Sequence, residues 1–187
     1  MRVILFIVCL FCFSSNTLAA IIEGNSSGKV TLIEVYDYQC IYCHLDYKNV
    51  LALIDNNPDL QVRLMPVAIE NQLSIYEAAA AIASTKYPGK FQEFTDMTMS
   101  GEILSKSAIS EALKNLQLTS TSFKKSMHSV LIEAQLNQGL KFLKLEKSNT
   151  PLFIIFPTNN AKVSAVLKGY QSKQVLQNAV SEAMRYA

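Results

Sequence analysis

From residue 29 to 36 the chain reads KVTLIEVY, β-branched and almost continuously apolar, the pattern of a strand buried on both faces. A short polar loop, DYQ, follows, and from Cys40 the period changes. Cys43, Tyr47, Val50, Leu51 and Ile54 recur at helical spacing until Asn56-Asn57-Pro58 stops the helix. Residues 60–69, LQVRLMPVAI, predict a second strand whose pairing loosens near Pro66. Strand, helix and strand together make a parallel crossover unit.

The middle, 70–147, is helical throughout. IYEAAAAIASTKY is rich in helix formers and ends before Pro88-Gly89. FQEFTDMTM, AISEALKNLQL and SFKKSMHSVLIEAQLNQGLKFLKLEK follow, and the last is long enough to predict a break near Ser129 or Gly139. Strands then return. Residues 152–156, LFIIF, predict a buried strand, PTNNAK is turn chemistry, and 163–167 predict an antiparallel partner. Gly169-Tyr170 ends that strand, and SKQVLQNAVSEAMRY closes the chain as an amphipathic helix. The order is βαβ, a helical block, then ββα. This is an α/β fold whose two halves, 20–69 and 148–187, are separated by an inserted helical subdomain, 70–147.

The first residues change the expected location. Arg2 is the only charge before Glu23, 3–13 is an unbroken apolar run, and SSNTLAA follows. A charged start, a short apolar core and a small-residue end predict a secretory signal peptide over 1–19, cleaved after Ala19 or Ala20. The run falls short of the roughly 20 apolar residues a membrane span needs; a retained N-terminal anchor is the alternative. Neither Cys9 nor Cys12 follows a small residue, which argues against a lipoprotein signal. The mature chain, about 168 residues, suits one domain with a sizeable core or one domain with a large insertion. It is expected outside the cytoplasm, in the periplasm if the cell is Gram-negative. The net charge of +2, with no basic cluster and no acidic tail, gives no reason to expect a nucleic-acid partner.

Of four cysteines, two sit in the signal and only Cys40 and Cys43 remain. An exported protein stapled by disulfides normally carries several separated pairs. One close pair points to chemistry instead. CIYC sits where a buried strand meets a helix. The first helical N–H groups lack internal partners and the dipole is positive there, so a thiolate on Cys40 is stabilised. That thiolate is the attacking species in disulfide exchange. Cys43, one turn deeper and partly covered, is placed to resolve the mixed disulfide. Cys40 is therefore the candidate nucleophile and Cys43 the resolving thiol.

Two cofactor readings compete with the thiol reading. Zinc needs two more ligands, and only His44 and His128 supply imidazoles. Haem is the closer rival, because CIYCH is the attachment pattern of c-type haem and one of Met65, Met97, Met99, Met127 or Met184 could bind distally. Against it, the motif directly follows a buried strand in a mixed α/β frame. The thiol reading requires no cofactor. It makes His44 an exposed helix residue beside the site, either a local cation or ordinary surface.

A second signature lies at Thr150-Pro151. Proline at the opening of a buried strand removes a ladder donor, and a cis peptide in a tight turn is one reason for it. Glu34 interrupts the first strand six residues before Cys40; a buried carboxylate there would stay protonated and could relay a proton to a thiol. Arg63 on the next strand is the basic candidate to face it.

Glu34, the block VYDYQCIYCH, the run Asn149-Thr150-Pro151-Leu152-Phe153 and the terminal GYQSKQVLQNAV together resemble the DsbA-like thiol–disulfide interchange family of the thioredoxin superfamily. In layout the resemblance covers nearly all of the mature chain; the close motif match is confined to two short stretches. It implies a thioredoxin fold with a helical insertion, a redox-active Cys40–Cys43 pair, and a cis-proline loop at Thr150 and Pro151 that binds substrate beside Tyr42. It also implies partners: exported proteins with free thiols and a membrane redox partner of the DsbB kind. Ile41 stands where many relatives carry proline, which leaves oxidase, reductase and isomerase all open. About ten residues separate the expected cleavage site from the first strand, too few for the dimerisation region of DsbC-type isomerases, so a monomeric oxidase is favoured and a monomeric reductase comes second. Another class of reading is a non-catalytic, chaperone-like module with a groove lined by Tyr36, Tyr38 and Tyr42.

Overall fold

β2 (Val30–Tyr36) is buried at every position. It lies in the middle of a five-stranded sheet, between β3 (Leu60–Pro66), which runs parallel to it, and β4 (Leu152–Pro157), which runs antiparallel. In this computed structural model residues 21–160 and 162–187 are described; the expected signal peptide lies outside them. β1 (Ile21–Gly24) and β5 (Ala165–Lys168) are the edges, both antiparallel to their neighbours, and the order is β1-β3-β2-β4-β5.

A strand covered on both faces needs two layers of helix. α1 (Ile41–Asn56) and α7 (Lys173–Met184) cover one face, where Leu32, Tyr36, Leu53, Phe153, Ile155 and Leu176 are buried. α6 (Val130–Glu146) covers the other, over Ile33, Val35, Val67, Leu152 and Ile154. Of the two buried polar residues in β2, Thr31 is hydrogen-bonded to the Thr158 hydroxyl at 2.9 Å, and the other is Glu34. Four further helices, α2 (Gln72–Ser84), α3 (Lys90–Met99), α4 (Lys106–Asn115) and α5 (Thr121–Ser126), complete the segment between β3 and β4. α2 is buried continuously from Ala78 to Ser84, because the other helices pack around it. Among the described residues no helix is long and apolar enough to cross a membrane.

In the fold the structure departs from the sequence reading at β1 and at Arg63. A strand, β1, begins at Ile21, so the chain between the expected cleavage site and the 29–36 strand is not a plain lead-in. Four residues at a sheet edge are too short for periodicity to reveal. The break expected in the long helix near Ser129 or Gly139 falls at Ser129, which caps α6, its hydroxyl accepting from Ile132 N at 3.4 Å. Gly139 is inside α6 and marks a close approach, since a Cβ there would lie 2.4 Å from Val67 Cγ1. Arg63 pairs in register with Ile33, on the sheet face opposite Glu34, and donates to Gln61 Oε1 at 2.7 Å; it is not the partner of Glu34.

Gly139 provides a test of the packing. Alanine would add helix propensity worth about 1 kcal/mol, but its methyl must displace the stiff, β-branched Val67, at a cost of about 1–3 kcal/mol. Gly139→Ala should lower the urea midpoint, and adding Val67→Ala should recover part of the loss. A midpoint equal to or above that of the parent would show that α6 does not press on the sheet there.

Candidate active site

β2 ends at Tyr36, and the turn 37–40 delivers Cys40 as the N-cap residue of α1, with extended backbone (φ −90°, ψ 115°). Its carbonyl accepts from Cys43 N at 3.0 Å and from His44 N at 3.2 Å, which starts the helix. An N-cap is usually a hydroxyl or carboxylate that satisfies the free N–H groups. No side chain does so here, and the first turn carries no acidic residue, so the positive helix end is left to the sulfur. The turn is braced by Asp37, whose carboxylate accepts from the backbone N–H groups of Gln39 (2.8 Å), Ile69 (2.7 Å) and Glu70 (3.1 Å).

Both cysteines are free thiols and both are buried, Cys43 completely. The Cys40 thiol is lowered to about 6. A hydrogen bond from the Cys43 thiol is the largest cause, helped by Thr150 and by the N–H groups of Cys43 and Tyr42, against a smaller opposing effect of burial. The Cys43 thiol is pushed the other way, well above its usual value, by burial and by its neighbour Cys40. One thiol is thus poised to ionise near neutrality while the other keeps its proton.

Across from Cys40 lies the loop before β4. The Thr150–Pro151 peptide is cis, as its sequence position suggested. Cys40 Sγ is 3.6 Å from the Thr150 carbonyl, and the Thr150 hydroxyl is buried with no oxygen or nitrogen partner. Glu34 is buried on the α1 face of the sheet. Burial, with a smaller contribution from Asp46, raises it to about 8, and its charge raises the Cys43 thiol in turn.

The structure therefore brings Cys40, Cys43, Glu34, Thr150 and Pro151 to one place. Tyr42 is exposed beside them. His44 corrects the sequence reading: it is buried, not exposed, with its ring nitrogens 2.6 Å from the Tyr38 carbonyl and 3.0 Å from the Gly101 carbonyl. Those contacts leave no ring nitrogen free to hold a haem iron. Tyr36 and Tyr38 are also buried, joined hydroxyl to hydroxyl at 3.0 Å, and line no groove.

Asp46 was not singled out by the sequence reading. It is buried on α1 and accepts the Gln171 N–H at 3.0 Å, tying α1 to the approach to α7. Burial raises it to about 7, although that N–H and Asn49 pull it down. The available signal was its position, three residues after Cys43 on the helix's buried stripe. Gln39 was missed too; its amide donates to Glu77 Oε2 at 2.7 Å and to the Leu104 carbonyl at 3.2 Å, joining the residue before Cys40 to the helical insertion.

No protein-family model and no curated protein sequence matches the chain. Solved structures do match. A thioredoxin-like oxidoreductase from Silicibacter pomeroyi DSS-3 superposes with a TM-score of 0.80 at 25% identity, over 90% of this chain and 94% of that one. The thiol-disulfide exchange protein alpha-DsbA2 from Wolbachia pipientis gives 0.76 at 22% identity, over 89% and 88%. A periplasmic thioredoxin-like protein from Salmonella enterica serovar Typhimurium gives 0.74 at 20%, over 91% and 93%. The chain has the thioredoxin-like fold with a helical insertion.

Two measurements follow from these ionisations. Alkylation of Cys40 by iodoacetamide should rise to half its limiting rate near pH 6, with Cys43 unreactive in the native state; a midpoint above about 8, that of an ordinary thiol, would contradict the site as described. Glu34 binds its proton more tightly folded (about 8) than unfolded (4.5), so its contribution is complete below pH 4.5 and is lost as pH rises toward 8. Between those limits unfolding should become easier by roughly 2–5 kcal/mol, and Glu34→Gln should flatten that part of the urea-midpoint profile.

Proposed function

We propose that the protein is an exported thiol–disulfide oxidoreductase that introduces disulfides into secreted or periplasmic proteins. The observation that carries this reading is the pair of oppositely shifted thiols at the start of α1, with Cys40 lowered to about 6 and Cys43 raised. Stabilising the Cys40 thiolate stabilises the reduced enzyme, which makes its disulfide the more oxidising.

In the oxidised enzyme a client thiolate attacks Cys40 Sγ. The Cys40–Cys43 bond breaks, a client–Cys40 disulfide forms, and Cys43 leaves with the electron pair and takes a proton. Glu34, protonated through much of the neutral range, is the group nearby to supply it. A second client thiolate then attacks the client sulfur of the mixed disulfide. The client leaves with a disulfide, and the enzyme keeps two electrons as the Cys40 thiolate and Cys43 thiol, the state described here. A membrane redox partner of the DsbB kind would remove those electrons. The Thr150 loop, against the Cys40 sulfur, is where the client chain would lie, with Tyr42 at its rim. The periplasmic Salmonella neighbour supports the same compartment for this chain.

A reductase or isomerase of the same fold is the second reading. It is favoured by the size of the Cys40 shift, since about 6 lies nearer the roughly 7 of thioredoxin-type sites than the roughly 3.5 of the strongest oxidants.

Cys40→Ser should abolish oxidation of a dithiol peptide. Cys43→Ser should accumulate a peptide linked to Cys40 and turn over at under about 1% of the parent rate. Undiminished turnover by Cys40→Ser would remove the cysteine pair from the mechanism, and full client protection by the double variant would favour a chaperone-like module.

A further inference from the structure

Glu77 is an acid where the packing calls for none. It is fully buried on α2, and the four residues after it, 78–81, are alanine. A carboxyl group in such a place loses its water and needs a protein partner in exchange. Its Oε2 has one, accepting from Gln39 Nε2 at 2.7 Å, while its Oε1 has none among the described residues. Burial is the largest cause of raising the group to about 8, so at neutral pH it is mainly the uncharged acid, and glutamine is its near-isostere.

Gln39 in turn has every hydrogen-bonding group of its side chain taken, each by a residue of the insertion. Nε2 donates to Glu77 and also to the Leu104 carbonyl at 3.2 Å, in the strap 100–105 that links α3 to α4. Oε1 accepts from Nδ2 of Asn71, the N-cap of α2, at 3.4 Å. The backbone N–H of Gln39 donates to Asp37 at 2.8 Å. Gln39 immediately precedes Cys40. The residue behind the nucleophile is thus plugged into the insertion by its side chain and into the redox turn by its backbone.

Such a restraint weighs differently on the two redox forms. In the oxidised protein the Cys40–Cys43 bond closes a short ring over the start of α1 and itself holds Cys40 against the helix. In the reduced protein that cross-link is gone and the turn is freer to move. Cys40 is then placed by the Cys43 and His44 N–H groups that its carbonyl accepts and by the turn behind it. A latch on the turn therefore stabilises the reduced form more than the oxidised one.

We propose that Glu77 is a positioning residue: by holding Gln39 it latches the redox turn to the insertion and favours the reduced form of the Cys40–Cys43 pair, so that the insertion helps to make the enzyme's disulfide oxidising. The proposal deepens the function given above and rests on it for the use to which an oxidising disulfide is put.

The test is equilibration of the purified parent chain, Glu77→Leu and Glu77→Gln with reduced and oxidised glutathione. Two glutathione thiols give up two electrons and two protons and become glutathione disulfide; the protein disulfide takes them up and becomes the Cys40 and Cys43 thiols. Leucine keeps the bulk of Glu77 and removes the acceptor. It should lower the equilibrium constant for reducing the protein roughly fivefold to tenfold, which is about 20–30 mV for two electrons. Glutamine keeps an acceptor oxygen for Gln39 and should stay within about twofold of the parent. The stabilities should match: Glu77→Leu should lower the urea midpoint of the reduced form more than that of the oxidised form. Equal losses in both forms with an unchanged glutathione equilibrium would make Glu77 an ordinary packing residue and overturn the latch. So would a Glu77→Gln chain as strongly shifted as Glu77→Leu. In the reduced parent chain the Gln39 side-chain amide should exchange its hydrogens with solvent at least about a hundredfold more slowly than an exposed amide. Exchange at the exposed rate would overturn the latch even if the variants do not fold. None of these readouts uses a client, so failure of the latch and failure of the proposed oxidation of clients are separate results.

Discussion

The helix that begins at Cys40 starts with its N–H groups uncapped, and the rest of the site is arranged around that vacancy. A serine or aspartate at the same position would close the helix end and remove the reason for a thiolate to form. The sulfur takes the place of the cap, so the charge it acquires is stabilised by the backbone that holds it. Cys43, one turn on, is within reach of that sulfur and is fully buried. The asymmetry between the thiols thus follows from their order along one helix: the first meets the open helix end, the second meets the core.

Delivering Cys40 there requires a strand that stops sharply and a turn that cannot relax. β2 sits at the sheet's centre and the Asp37 carboxylate pins the turn against the start of the insertion. Gln39 and His44 tie the same turn to the segment between α3 and α4. The insertion is therefore part of the redox turn's support. The buried carboxylates Glu34, Asp46 and Glu77 belong to the same economy: each is raised toward neutrality chiefly by burial. Glu34 and Glu77, raised to about 8, are largely protonated at neutral pH, which avoids most of the penalty of a buried charge and spares the thiolate two negative neighbours.

Much of this was legible in the sequence, because it rests on long, strongly patterned segments. The apolar run 29–36, the change to helical spacing at Cys40 and the proline opening the 152–156 strand are local signals, and the structure has an element or a cis bond at each. What was not legible depends on partners distant in sequence. β1 is visible only as the antiparallel neighbour of β3. Gly139 stood beside Ser129 as a place for the break because a glycine in a helical run is a local signal, while the reason for it, Val67, comes from the neighbouring layer. His44 read as surface because it follows the motif on a first turn; the strap that buries it arrives from 57 residues away.

The central claim is that the Cys40 thiolate is stabilised enough to make the enzyme's disulfide a donor. Equilibrating the purified protein with mixtures of reduced and oxidised glutathione gives the reduction potential of the Cys40–Cys43 pair. The account predicts a value at or above about −180 mV, toward the roughly −120 mV of the strongest oxidants. A value near about −270 mV, where thioredoxin-type reductants lie, would contradict it.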